Sequence, residues 1–305
     1  MSSVVTSSID APILGSVVAY NDNSTKVAVS DGVRVVVRGC RPEDAATQGH
    51  KEEGDVSSIV VEPNVGVVTA MCWMGGMFGN VLCCGTDGGV VMVYAEPPGA
   101  PGGCAAREYV LRCMLRYSTS TVTCVRRAPQ SISNNGGPMV TVSYGDGSIR
   151  IFEGLVGKMH SRGGAQTGIE FLDSVDGVWE VHSVVSPIEK PDMGGCICFD
   201  WKACEGETAV LVAGYEGCCP QIYSYDVKHF TWTHRDELTP SDGAMSTVSD
   251  IAWAPQLGRP YDIVAVACGT CVNLWSISGP VDELDMHVIA TLEHDAHVWQ
   301  ESGSY

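Results

Sequence analysis

A short phrase that recurs five times is the feature of this chain that most restricts its fold. Each copy consists of an apolar run, a tight turn and a second strand of alternating apolar residues. The clear copies are residues 30–35, 85–94 and 144–152, and looser copies are residues 214–224 and 268–275. Asp-Gly in the first three turns supplies the positive backbone angles of a two-residue hairpin, and the alternation gives the second strand one buried face. The recurrence predicts a ring or stack of similar β units.

The segments around each copy extend the unit to four strands. An apolar strand precedes each phrase, and a candidate outer strand follows four of them, at residues 57–61, 109–115, 178–182 and 287–292. Four strands with a period of roughly fifty to seventy residues form a propeller blade with loop insertions. We therefore predict an all-β propeller with five recognisable blades and the start of a sixth at residues 297–299. It forms a single domain over residues 12–305, after a flexible leader over residues 1–11.

The charge balance disfavours a nucleic-acid partner. The chain has 36 acidic and 18 basic residues, for a net charge of -18 at pH 7, whereas binding to phosphates needs a basic surface. The only basic clusters are small, such as Arg126-Arg127. No apolar run approaches the roughly eighteen residues of a membrane span, and the N-terminal residues lack the pattern of a signal peptide. The 14 cysteines, several of them inside apolar strands, fit reduced thiols better than a disulfide framework.

Candidate catalytic and metal-binding motifs are few. Cys268 and Cys271 form a Cys-x-x-Cys motif, but it falls in a repeat turn, and no second cysteine or histidine pair accompanies it to complete a zinc site. His294 and His297 lie close together without a nucleophile signature or a carboxylate pair, which favours a structural role. Neither a serine-hydrolase elbow nor a phosphate-binding loop is present. The sequence thus predicts no enzyme, no metal site and no cofactor.

Four tryptophans, Trp73, Trp201, Trp253 and Trp275, fall at matching places in their units. Repetition at one place in a unit is what a shared packing role predicts. We interpret these residues as blade packing, with an aromatic cage for a ligand as the alternative.

One segment carries a specific family resemblance. Residues 248–267, VSDIAWAPQLGRPYDIVAVA, resemble the fifth blade of the Seh nucleoporins, WD-repeat proteins that are the nuclear-pore homologues of the COPII outer-coat WD-repeat protein. Residues 272–275 match the strand that follows in that family, while residues 145–153 and 196–201 resemble its third-blade ending and fourth-blade opening more loosely. Arg259 after Gly258, together with the long connection between the fourth and fifth blades, favours the Seh family over the coat protein.

The resemblance implies a non-enzymatic scaffold with an open propeller. In this family an α-solenoid partner contributes β-strands in trans, which would satisfy the exposed strand edges and apolar faces of an unclosed ring. It also implies membership of the outer-ring Y complex of the nuclear pore and, in many organisms, of a nutrient-signalling complex at the vacuole or lysosome. Direct nucleic-acid binding and membrane insertion are not expected. We expect the partner's strands near the first blade, at Val33, Val35 and Val37.

The resemblance leaves alternatives open. The family continues through a full sixth blade, whereas here residues 300–305 follow Trp299, so the sequence is either truncated or part of a shorter ring that depends more on partners. A COPII outer-coat subunit and a generic WD-repeat adaptor are the nearest other functions. A propeller enzyme with a site in the central channel would need convergent polar residues at the channel mouth, and the sequence shows no such set.

Overall fold

The computed structural model describes residues 17–39, 56–61, 63–96, 109–155, 178–186, 193–202, 208–240 and 247–298. These residues form five four-stranded antiparallel sheets, which follow one another along the chain and which we call blades 1 to 5. The leader predicted over residues 1–11 lies outside the described residues. Within the described ranges, no helix has the length and apolar character needed to cross a membrane.

In each blade the strands pair in chain order, so the first strand and the fourth strand are its two edges. Blade 1 contains β1 (Val17–Tyr20), β2 (Lys26–Ser30), β3 (Arg34–Gly39) and β4 (Val56–Val60). Blade 2 contains β5 (Val68–Trp73), β6 (Val81–Thr86), β7 (Val90–Ala95) and β8 (Val110–Arg116). Blade 3 contains β9 (Val122–Arg127), β10 (Met139–Tyr144), β11 (Ile149–Gly154) and β12 (Trp179–Val185). Blade 4 contains β13 (Cys196–Trp201), β14 (Ala209–Tyr215), β15 (Gln221–Asp226) and β16 (Thr231–Glu237). Blade 5 contains β17 (Val248–Trp253), β18 (Asp262–Cys268), β19 (Cys271–Ser278) and β20 (Asp285–Glu293).

Short 3-10 turns occupy Pro63–Val65, Gly76–Phe78 and Gln130–Ile132. The first strands of successive blades contact one another from β1 through β5, β9 and β13 to β17. They are therefore the inner strands of the propeller, and the fourth strands are the outer ones.

The repeated Asp-Gly turns form for the reason that the sequence indicates. In blade 1 the Asp31 carboxylate accepts the backbone N–H groups of Val33 and Arg34 at 3.0 and 2.7 Å, and Gly32 has a φ of 96°. In blade 3 Asp146 accepts the N–H of Ser148 at 2.9 Å, and Gly147 has a φ of 86°. A positive φ is accessible to glycine without steric cost, so turns form at the predicted positions. They are not the predicted two-residue hairpins, because three or four residues connect the strands and only a glycine in each turn has a positive φ.

Packing between blades follows the two-residue period of a strand. In β5, Met71 and Trp73 pack against blade 1, whereas Ala70 packs against blade 3. The same division gives one continuous apolar cluster between each pair of successive blades. A strand that is buried on both faces reads as a continuous apolar run, which is the pattern of β6 and β10. The blade architecture predicted from the repeats is confirmed.

Two details differ from the sequence-based predictions. Blade 4 has an outer strand, β16, that the apolar pattern did not reveal, because its sequence TWTHRDE is mostly polar and the strand is largely exposed or half-buried. Trp275 lies in the third strand of its blade, whereas Trp73, Trp201 and Trp253 each end an inner strand. The shared position therefore holds for three of the four tryptophans. Trp73 donates its indole N–H to the Ala19 carbonyl of the preceding blade at 3.0 Å.

In three blades, a side-chain hydroxyl at the second position of the inner strand donates a hydrogen bond to a backbone carbonyl just beyond the blade in the chain. Thr69 donates to the carbonyl of Val122 at 2.6 Å, Thr123 to that of Cys196 at 2.7 Å, and Ser249 to that of Val298 at 2.5 Å. Blade 4 has Ile197 at this position, so it cannot make the bond. These bonds fix the spacing of the inner strands in addition to apolar packing.

We expect Thr69→Val to lower the free energy of unfolding by about 1 kcal/mol, because a methyl group replaces the hydroxyl that donates to the carbonyl of the buried Val122. Thr233→Val is the matched control, since Thr233 lies exposed on β16. Urea denaturation of the full chain measures both. Equal midpoints for the two variants would show that the inter-blade hydroxyl bond contributes nothing.

The Arg126-Arg127 pair connects blade 3 to blades 1 and 5, neither of which is its immediate neighbour. Arg126 Nη2 lies 3.8 Å from Asp250 Oδ1 of blade 5, and Arg127 Nη1 lies 2.6 Å from Asp22 Oδ2 of blade 1. The side chain of Asp250 is 7% exposed, whereas those of Asp22 and Arg127 are 50% and 46% exposed. Burial raises the pKa of the Asp200 carboxyl and outweighs the positive charge of Arg126, which lowers that pKa. Both arginines thus have intramolecular partners.

We expect Arg126→Leu to destabilise the chain by about 3 kcal/mol, because it leaves the buried Asp250 and Asp200 carboxylates without their cation. Arg127→Leu breaks an exposed pair and is expected to cost about 1 kcal/mol or less. Thermal unfolding of the two variants provides the comparison. A larger loss for Arg127→Leu than for Arg126→Leu would contradict this assignment.

Candidate partner-binding interface

Among the described residues, each of the two terminal blades packs against another blade on one face only. Blades 2, 3 and 4 have a neighbour on each side, whereas the apolar clusters that include blade 1 and blade 5 pack them only against blade 2 and blade 4. Among the described residues, no hydrogen bond or ion pair joins blade 1 to blade 5. The arrangement is an open propeller, and its two uncovered faces form the candidate interface.

Strand β3 shows which face of blade 1 is uncovered. Val35 and Val37 are 0% and 2% exposed in the cluster shared with blade 2. Val36 between them is half-buried, and Arg34 and Arg38 are exposed, so these three side chains point away from blade 2. We call the surface that they share with their cross-strand neighbours the open face of blade 1.

The structure separates the three residues that the sequence suggested for partner contact. Val33 is 53% exposed and lies in the hairpin turn before β3, while Val35 and Val37 belong to the core between blades 1 and 2. That β3 lies near a partner's strands stays a prediction. The side chains of this strand that are placed to reach a partner are Arg34, Val36 and Arg38, because side chains alternate between the two faces of a strand.

The open face of blade 1 is mainly apolar across all four strands. Val18 and Tyr20 of β1 are 41% and 52% exposed, and Val60 of β4 is 67% exposed. Val18 pairs with Val29, and Val29 pairs with Val36, so these side chains stand side by side. Val18 and Tyr20 were within the sequence-predicted strand, but only the packing of blade 2 shows which of its residues remain uncovered.

Blade 5 presents a smaller apolar face in the opposite direction. In β18, Val264 and Val266 are 0% and 2% exposed against blade 4, whereas the alternate residues Ile263 and Ala265 are half-buried. Leu274 pairs with Ala265 and is also half-buried. We call this surface the open face of blade 5. The equivalent positions of blade 2 are fully covered by blade 3, so a further sheet would cover this face in the same way.

Residues 294–298, which follow β20, contact the turn of blade 5 in the same way as the segment that leads into blade 2 contacts the turn of blade 1. Val298 donates its N–H to the carbonyl of Gly269 at 2.8 Å, and Val68, the first residue of β5, donates to Gly32 at the same distance. His294 donates to the Thr270 carbonyl just as Val61 donates to that of Val33. Val298 therefore occupies the position of Val68, which confirms the predicted start of a sixth blade.

These surfaces can recognise protein by strand pairing and apolar packing. A sheet placed against either open face would bury valine, leucine and isoleucine side chains that are now in contact with water. Strand β1 is also an edge strand on its inner side, with backbone groups that another strand can pair. Binding by added strands is the chemistry that the geometry supports.

The other candidate motifs do not combine into a reactive site. Cys268 and Cys271 face each other across the two-residue turn between β18 and β19, as predicted, and both are free thiols. Burial raises the pKa of Cys268 and that of Cys72 to about 11 each, so these thiols are protonated and weakly nucleophilic near neutral pH. In the part of the chain that the structure describes, no three His, Cys, Asp or Glu side chains converge to hold a metal ion.

Comparisons with known proteins bear on the family. No family model matches this chain. Protein SEH1 of Arabidopsis thaliana is 24% identical over 244 residues, which cover 76% of this chain and 70% of that protein. Nucleoporin SEH1 of Xenopus tropicalis is 24% identical over 257 residues, and nucleoporin SEH1 of Homo sapiens is 24% identical over 258 residues. Each match covers 78% of this chain and 63% of the relative. The similarity to Seh nucleoporins is confirmed, and it spans less than two thirds of the two vertebrate proteins.

A solved structure supports the fold. The crystal structure of Saccharomyces cerevisiae Sqt1, a WD-repeat protein, matches with a TM-score of 0.56 and 13% identity, covering 94% of this chain and 62% of that chain. The chain has the WD-repeat β-propeller fold that the sequence predicted.

We expect the Val18→Asp/Val60→Asp double variant to increase the soluble, non-aggregated fraction of the isolated full chain severalfold, because it places charges on the open face of blade 1. Val110→Asp/Val178→Asp is the matched control, since Val110 and Val178 are 43% and 54% exposed away from that face. Size-exclusion chromatography after expression measures the fraction. An equal gain for both variants would show that added charge alone, and not this face, controls solubility.

Proposed function

We propose that this chain is a non-enzymatic WD-repeat scaffold subunit of the nuclear pore outer ring, whose open propeller is completed by β-strands from an α-solenoid nucleoporin. The observation that carries the proposal is the pair of uncovered apolar faces on the terminal blades, at Val18, Tyr20 and Val60 on one side and Ile263 and Leu274 on the other. Their apolar character favours a permanent partner over a transient one.

The similarity to proteins named as Seh nucleoporins in a plant and in vertebrates supports the nuclear pore as the location. It favours this function over that of a COPII coat subunit. A generic adaptor role would not need one apolar face of each terminal blade to remain uncovered. The role in a nutrient-signalling complex that the family resemblance also implies belongs to the same scaffold function, with strand donation from a related partner.

Absence of catalysis is part of the proposal. The polar side chains at the inner strands serve structural bonds, such as the ion pair of Arg126 with Asp250 and the hydrogen bond from the Trp253 backbone N–H to the Asp200 carboxylate. The buried thiols are protonated near neutral pH. The surfaces that remain for function bind by shape, apolar contact and strand pairing.

Co-expression tests the proposal directly. We expect the full chain to aggregate when expressed alone and to become soluble as a one-to-one complex when it is co-expressed with the α-solenoid nucleoporin of the outer ring. Val18→Asp/Val60→Asp should abolish co-purification, because two carboxylates would be buried against the partner's strands, while Val110→Asp/Val178→Asp should retain it. A stable monomer that gains nothing from the solenoid protein would refute the proposal.

A further inference from the structure

The open face of blade 1 carries two cations as well as apolar residues. Arg34 and Arg38 are both exposed on β3, on the same side as Val36. Among the described residues, neither guanidinium group forms an ion pair, whereas Lys26, Arg127, Lys202 and Arg235 each hold a carboxylate within 3.0 Å. The charge of Arg34 contributes to the lowered pKa of Asp31, after the hydrogen bonds from the Arg34 and Val33 backbones.

The spacing of the two arginines matches one strand of a partner. Four residues along a strand span about 13 Å, so the guanidinium groups flank an apolar centre at Val36. Val29 pairs with Val36 on one side of β3, and Val60 pairs with Arg34 on the other. A strand that packs on this surface meets apolar side chains in its middle and a positive charge near each end.

We propose that the open face of blade 1 selects a β-strand with an acidic residue at each of two positions four residues apart and an apolar residue midway between them. This inference rests on the proposed function, because it specifies the chemistry of the strand donor at the same interface. Complementary charges at the margin of an apolar contact set partner choice and register more than raw affinity. The acidic ends also hold the donor in one register, since a shift by one residue turns its apolar residues away from Val36.

The composition of the surface argues against a nucleic acid as the ligand. The two arginines stand among valines, and the chain as a whole has a net charge of -18. A phosphate backbone binds a continuous basic stripe and would leave the valines uncovered. An acidic and apolar polypeptide covers both parts of the face.

Two synthetic β-hairpin peptides test the inference. Both carry the same strand with valine at its centre, and they differ only in having glutamate or lysine at the two flanking positions. Fluorescence anisotropy with the soluble fraction of the full chain, isolated by size-exclusion chromatography, should show the glutamate hairpin binding about tenfold tighter at low salt, from two marginal ion pairs. High salt should remove most of this preference.

Charge-reversed variants provide the decisive comparison. Arg34→Glu/Arg38→Glu should reverse the preference toward the lysine hairpin, and the milder Arg34→Gln/Arg38→Gln should abolish it without reversing it. Arg116→Glu/Lys228→Glu gives the same change of net charge at exposed sites away from the open face and should keep the wild-type preference. Circular dichroism verifies that each variant is folded.

The outcomes separate this inference from the function on which it rests. Equal binding of both hairpins, or equal effects of the open-face and control reversals, overturns the charge selection while leaving strand donation intact. Binding of neither hairpin also overturns the selection, and strand donation is then judged by rescue with the solenoid protein. Tighter binding of a single-stranded DNA oligonucleotide than of the glutamate hairpin would favour a nucleic-acid ligand and refute the proposal.

Discussion

A β-sheet with two apolar faces must be covered on both, and this requirement governs the whole molecule. The middle strands of blades 2, 3 and 4 are buried on each side because another blade lies against each face. The middle strands of blades 1 and 5 also carry apolar side chains on both faces, and one face of each blade is in contact with water. Val35, which is fully buried, and Val36, which is half-buried, are adjacent in the same strand and face opposite sides of the sheet, and blade 2 packs against the side of Val35. The functional proposal follows from this imbalance, since apolar area that is left exposed favours association.

Polar contacts keep the row of blades in place while that face remains uncovered. The hydroxyl groups of Thr69, Thr123 and Ser249 each fix the distance to the next inner strand. Arg126 and Arg127, which the sequence shows as one of its small basic clusters, connect blade 3 to blades 5 and 1. These bonds act within the chain and connect its blades to one another.

The similarity to Seh nucleoporins agrees with this physical picture. It spans about three quarters of the chain at 24% identity. The features that matter for the proposed scaffold are therefore the blade pattern and the uncovered faces, more than any single conserved side chain. Arg34 and Arg38 add a charge pattern to the open face of blade 1, which would restrict the strands that this face accepts.

The sequence by itself determined the elements of the fold. The Asp-Gly turns and the alternating strands specify hairpins through local backbone geometry, so the blades and the start of the sixth were predictable. The mostly polar strand β16 was not, because an outer strand that is largely exposed or half-buried needs no apolar pattern. Only the tertiary structure decided the interface. Val35 and Val36 are identical in type and adjacent in the chain, and which of them is buried depends on the side from which blade 2 packs. That choice is made by contacts between residues far apart in sequence, which no local pattern encodes.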